Sequence, residues 1–166
     1  MMKVKNQFFW IAALMSLILD RVSKDWAIQA LKPLKEGWSL WPEVFHLTYA
    51  TNTGAAFSLF SGGGSWLRWL SLGVSLALMA LAWFGPRMGR WEQAGYGLIL
   101  GGAMGNGIDR FLSGAVVDFL HFKWINFPIF NLADVSINIG IACLLISAFV
   151  RVPASGKPGS DPDRDL

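Results

Sequence analysis

The chain has a single cysteine, Cys143, so no internal disulfide can staple it. Its two histidines, His46 and His121, stand alone in different connecting segments, and no Cys/His spacing resembles a zinc site. Charged residues make up only 15% of the 166, and the net charge of +3 is scattered along the chain. That excludes the concentrated basic patch a nucleic-acid partner needs. No metal, cofactor or nucleic acid is therefore expected. What the chain does have is apolar surface: 54% hydrophobic residues, nine Trp and twelve Phe. This exceeds the usual soluble domain, and so many indoles fit anchoring at a membrane interface. The composition is that of a membrane protein surrounded by lipid.

Four apolar stretches come near the roughly 20 residues that cross a bilayer core as helix. They run from Phe8 to about Leu31, over 66–85, over 94–112, and from Asn131 to Val150. The first opens after "MMKVK" like a signal peptide, but no small-residue cleavage site follows. Asp20, Arg21, Lys24 and Asp25 come instead, so it reads as a retained helix. Lys3 and Lys5 precede helix one, Arg87 and Arg90 fill the tight turn between helices two and three, and Arg151 follows helix four. The opposite loops are longer and hold Lys32, Lys35 and Lys123, with Arg68 at the start of helix two, so the first set is denser per residue. This asymmetry predicts both termini in the cytoplasm, with residues 32–64 and 113–130 outside. In the outer loops "EVFHLTYATN" alternates as a half-buried strand does, and "AVVDFLHFKW" is rich in β-branched and aromatic residues. A small sheet at the outer surface is expected. Residues 1–150 thus form one integral-membrane domain, and the Pro/Gly/Asp-rich 151–166 a disordered cytoplasmic tail.

The polar residues of the apolar segments carry the chemistry. "FNLADVSINIG" places Asp134 at the mouth of the last segment, and "GAVVDF" presents Asp118 shortly before it. Asn131 and Asp134 have the spacing of a capping box, which is the plain structural account of that aspartate. Asp20 with Lys24, and Arg21 with Asp25, are spaced to neutralise each other on helix one. Gly97, Gly101 and Gly105 form a small-xxx-small stripe for close helix approach. Packing explains the glycines but not Asn106, Asp109 and Arg110 beside them. The topology gathers Asp20, Asn106, Arg110, Asp118, Asn131 and Asp134 in the outer third of the membrane, where Asn52 and Gly54 of the outer loop join them. Ionisable groups there point to function.

Two carboxylates held close share a proton, because both cannot ionise cheaply. One can then take a proton from water while the other polarises a carbonyl or protonates a leaving nitrogen. That is peptide hydrolysis with no Ser or Cys nucleophile and no metal; a glycosidase also uses two acids, but nothing in the sequence suggests a sugar cleft. An ion-relaying transporter is a competing reading, but helices two and four carry no acid in mid-span. A scaffold built on the glycine stripe is another, and it would tolerate Asn at both aspartates.

Five stretches, "DRVSK" (20–24), "NTGAAFS" (52–58), "GGAMGNGIDR" (101–110), "VVDF" (116–119) and "FNLADVSINIG" (130–140), together resemble the lipoprotein signal peptidases (signal peptidase II) of bacteria. The resemblance implies a mainly α membrane fold: four transmembrane helices, a small extracytoplasmic β-cradle and a short periplasmic helix. It implies an aspartyl endopeptidase of the cytoplasmic (inner) membrane, a monomer without cofactor. Its partners are prolipoproteins bearing a diacylglyceryl group, cut just before the lipidated cysteine. By motif position Asp118 and Asp134 are the catalytic dyad. Asn106, Arg110 and Asn131 hold substrate backbone and orient the dyad, with Asp109 and Gly54 beside them. Asn52 touches substrate, and Asp20 supports the site from helix one. The chain departs from the family at Ser58, where glycine is usual, at Ser23, where threonine is common, and at Gly107, which replaces a bulkier apolar residue.

Overall fold

The computed structural model describes residues 5–34, 37–54 and 65–150. Four long helices carry it: α1 (Gln7–Ala30), α2 (Ser65–Phe84), α3 (Arg90–Leu112) and α4 (Leu132–Val150). At 1.5 Å per residue they are about 28–36 Å long. Two of them, over Trp66–Phe84 and Leu132–Val150, are long and apolar enough to cross a membrane on length and composition alone. The expected four spans therefore reduce to two on that criterion. Helix α1 falls short because it carries Asp20, Arg21, Lys24 and Asp25, and α3 because its many glycines, with Gln93, Asn106 and the charged residues at its ends, lower its hydropathy.

The central helix is α3, and its glycines decide the packing. A Cβ at Gly97, Gly101 or Gly105 would run into Phe9, Ser16 or Asp20 of α1 respectively, so the stripe is the α1 interface. A second glycine face, missed in the sequence, meets α4: Gly95 lies against Gly140, and Gly102 against Ala133. These contacts make α3 and α4 antiparallel. Gly107 faces Ser71 of α2, whose Cβ would lie 3.0 Å from a Cβ built there, so a larger residue would need that neighbour to give by a few tenths of an ångström.

The sheet has three antiparallel strands in the order β1 (Trp38–Trp41), β2 (Phe45–Asn52), β3 (Val116–Phe122). Strands β2 and β3 lie where the alternation places them. The four-residue β1, exposed throughout, gave no burial pattern to read. The sheet docks on the end of α1: Phe119 packs with Ala27 and Leu31, and Trp26 lies edge-on to Trp38 and Phe119. Asp118 sits on the edge strand β3, paired across with Ala50. The outer side of β3 is held by Phe130, which exchanges backbone hydrogen bonds with Leu120. That bridge delivers the next residue, Asn131, to Asp118. No short helix occurs among the described residues, and residues 55–64, Ser58 included, and the tail 151–166 lie outside them.

At the other end of the bundle, Asn6 donates to Ala82 O and accepts from Met88 N–H, while Lys5 reaches Gly85 O. The start of α1 and the α2–α3 turn are therefore together. The sheet and Asp134 lie at the opposite end.

Candidate active site

The helix α4 begins on a capping box. Asp134 N–H donates to Asn131 Oδ1 at 3.1 Å, and Asn131 N–H donates to Asp134 Oδ2 at 3.2 Å. The capping account of Asp134 is therefore correct, but it uses only one carboxylate oxygen. The other, Oδ1, accepts from Asn106 Nδ2 at 2.9 Å. Because the cap commits Asn131's oxygen, its amide nitrogen must point away from the helix. It donates to Asp118 Oδ1 at 2.6 Å and reaches Asn106 Oδ1 at 3.1 Å. One fully buried asparagine thus ties the two aspartates together.

From the sheet, Asn52 Nδ2 donates to Asp118 Oδ2 at 3.1 Å, and its oxygen accepts from Gly54 N–H. From α3, Arg110 reaches Gly54 O and its own helix at Asn106 O, both at 3.3 Å. Its Nε is buried with no hydrogen-bond partner among the described residues. Six of the nine candidate residues (Asn52, Gly54, Asn106, Arg110, Asp118 and Asp134) line one cavity of about 1100 Å³. Asn131 lies behind its wall. The rest of the lining is largely apolar: Phe122, Ile125, Phe127, Pro128, Ile129 and Phe130 on one side, Val135 and Ile139 of α4 on the other.

Asp20 and Asp109 do not line the cavity. Asp20 Oδ1 accepts the Ala133 N–H beneath Asp134 at 3.1 Å, and a Cβ at Gly105 would collide with its carboxylate. Asp109 pairs with Arg21 at 2.6 Å and with Lys24 at 2.8 Å. Both lie outside the lining. The Arg21–Asp25 pair forms at 3.4 Å, but Arg21's shorter contact crosses to α3. Lys24, set aside in the sequence as half of an i,i+4 pair, is buried and touches Asp20, Asp109 and Asn106. Its signal was there: an ionisable residue within an apolar segment, on the same face as the small residues Ala13, Ser16 and Ala27.

Burial first, and the Asp134 carboxylate second, push the Asp118 carboxyl up to about 6 from an ordinary 3.8. The amides of Asn52 and Asn131 and the charge of Lys24 oppose that rise. A carboxyl poised there holds or releases a proton near neutrality, as acid–base work requires. Among the described residues, no cluster of three or more His, Cys, Asp or Glu could hold a metal ion.

Known proteins resemble this chain. The family described as "Signal peptidase (SPase) II" matches residues 12–150. A lipoprotein signal peptidase of a Cyanothece species is 63% identical over 170 residues, covering 99% of this chain and 98% of its own. One of Gloeobacter violaceus is 53% identical over 167 residues, covering 99% and 96%. Among solved structures, a bacterial membrane enzyme determined by the in meso method at 2.3 Å superposes with a TM-score of 0.79. It is 27% identical and covers 97% of this chain and all of its own. With a matching family spanning all four helices and relatives this similar over their full lengths, the chain belongs to the signal peptidase II family of lipoprotein signal peptidases.

Proposed function

We propose that this protein removes the signal peptide from prolipoproteins whose cysteine carries a diacylglyceryl group, cutting the bond before that cysteine with water activated by Asp118 and Asp134. The observation that carries the reading is the pairing of the two carboxylates through Asn131 and Asn106 at one polar corner of a large apolar cavity. Asp118, the member with the raised proton affinity, carries the shared proton and places it on the scissile carbonyl oxygen. Asp134 takes a proton from water as its oxygen bonds to the carbonyl carbon. The tetrahedral adduct then collapses: Asp134 gives its proton to the leaving nitrogen, the C–N bond breaks, and Asp118 takes back a proton from one hydroxyl, which restores the dyad. Arg110 and Asn52 bond the substrate backbone, and the apolar lining takes up the chain and its lipid.

All four helices span the membrane in this reading, with the site near the extracytoplasmic face and both termini inside. Phe8, Ile11, Leu14, Met15, Ile18, Leu19 and Val22 of α1 are all exposed, while Ser16, Asp20 and Lys24 are buried. That polarity suits hydrocarbon rather than water outside. The protein acts as a monomer. The test is cleavage, in detergent, of a diacylglyceryl-modified precursor peptide against the unlipidated peptide. Asp118→Asn and Asp134→Asn should each remain folded and lose at least about a hundredfold, the low end for positioned acid–base groups. Substantial cleavage by either variant removes the dyad, and equal cleavage of the unlipidated peptide removes the substrate class.

A further inference from the structure

Helix α1 contributes nothing to the cavity lining, yet it sends one charged side chain toward the dyad. Lys24 is only 1% exposed. Its ammonium forms ion pairs with Asp20 Oδ2 and Asp109 Oδ2, each at 2.8 Å, and donates a hydrogen bond to Asn106 Oδ1 at 2.9 Å. We propose that Lys24 is a positioning residue of this active site: through the Asn106 amide it holds the Asp134 carboxylate in place, and its charge stands behind both aspartates. The proposal rests on the dyad reading above.

Adhesion between α1 and α3 does not require this charge. The glycine stripe already brings the helices together, and burying an ammonium carries a desolvation penalty that its partners must first offset. What Lys24 adds is direction. An asparagine amide fits its site almost equally well with oxygen and nitrogen exchanged, and only its partners decide. Lys24 Nζ and Asn131 Nδ2 both donate to Asn106, which fixes the oxygen on their side and turns the NH2 toward Asp134. The line from Lys24 through Asn106 to Asp134 is then donor to acceptor throughout, with a charge at each end. The charged groups facing Asp118 are Asp134 from α4, Arg110 from α3 and Lys24 from α1, while β2 presents the neutral Asn52. Lys24 is thus the cation on the wall side and Arg110 the cation on the cavity side. Facing Lys24 itself are Asp20 and Asp109, the latter shared with Arg21.

Lys24→Met alone would strand buried carboxylates, so the test uses charge-neutral pairs. Asp20→Asn/Lys24→Met keeps an oxygen for the Ala133 N–H, and Asp109→Asn/Lys24→Met keeps one for Arg21. Each is assayed in detergent for thermal unfolding, and for kcat and KM across pH with a diacylglyceryl-modified precursor peptide. At least one pair should be folded, with KM within about twofold and kcat down roughly ten- to a hundredfold, as for a misplaced reacting group. The limb of its kcat/KM profile that reports Asp118 should move toward alkaline pH, because a cation that opposes protonation is gone. A merely structural lysine would not move that limb. A kcat within threefold of wild type, an unmoved limb, or failure of both pairs to fold overturns the proposal. Asp118→Asn in the same assay separates the failures. Cleavage by that variant sinks the dyad, whereas an inert Asp118→Asn beside a fully active pair variant sinks only the role of Lys24.

Discussion

Asp134 meets two structural demands at once, and the proposed catalytic role rests on the second. One oxygen closes the capping box and the other faces Asn106 at the cavity. Capping and catalysis are rival explanations in a sequence, because spacing assigns a residue to a role and not an atom. The asparagines were legible as candidates for the same reason they work. An amide both donates and accepts, and such groups are rare in apolar segments without a purpose. Asp118 offers the test at this scale. Its carboxyl stands at about 6 in the folded protein against about 3.9 unfolded. A raised carboxyl binds its proton more tightly when folded, so its stabilisation is full below about pH 3.9 and lost as pH rises through 6. At about 1.36 kcal/mol per unit, wild type should lose roughly 2–3 kcal/mol relative to Asp118→Asn between pH 4 and 7.5. Thermal midpoints of both proteins in detergent across that range measure it. A flat difference would show that Asp118 is not held protonated by its surroundings.

Elements were legible where their pattern was long. All four helices and the strands β2 and β3 lie within a few residues of the reading from sequence, because apolar length and alternation are strong signals. The exposed strand β1 and the second glycine face of α3 were not, since both depend on what lies opposite. Gly105 shows how element packing reaches the site. It is the point where α1 approaches closely enough for Asp20 to bond the N-terminus of α4. A Cβ there would meet the Asp20 carboxylate. Gly105→Ala should therefore cost about 1–3 kcal/mol as an overpacked contact and lower cleavage by displacing Asp20. Gly73 in α2, where nothing lies within 4 Å of a built Cβ, is the control. Gly73→Ala should be neutral or gain up to about 1 kcal/mol from helix propensity. Equal behaviour of the two, in unfolding midpoint and in rate, would deny that α1–α3 contact sets the site.

Many large apolar side chains of the helices are exposed while Asp20, Lys24, Asn106, Asp109, Asp118 and Asn131 are buried, and the two ends of the molecule differ. No tryptophan lies near the middle of a helix. Trp10, Trp83 and Trp91 mark one end, and Trp26, Trp38, Trp41, Trp66, Trp69 and Trp124 the other. Two such bands are what indoles form at the two faces of a bilayer. The first band accompanies Lys5, Arg87 and Arg90, and the second accompanies the sheet and the carboxylates. If positive charge stays inside, the dyad opens outward. Only one cysteine is present and it is buried, so single-cysteine labelling can read this directly. In a Cys143→Ala background, Glu43→Cys sits in the exposed turn between β1 and β2, and Arg87→Cys in the exposed α2–α3 turn. A membrane-impermeant maleimide should label Glu43→Cys on intact spheroplasts and Arg87→Cys only after the membrane is opened. The reverse pattern would put the site in the cytoplasm, and labelling of both on intact spheroplasts would mean that the segment between them does not cross an odd number of times. Either result would overturn the membrane arrangement on which substrate access depends.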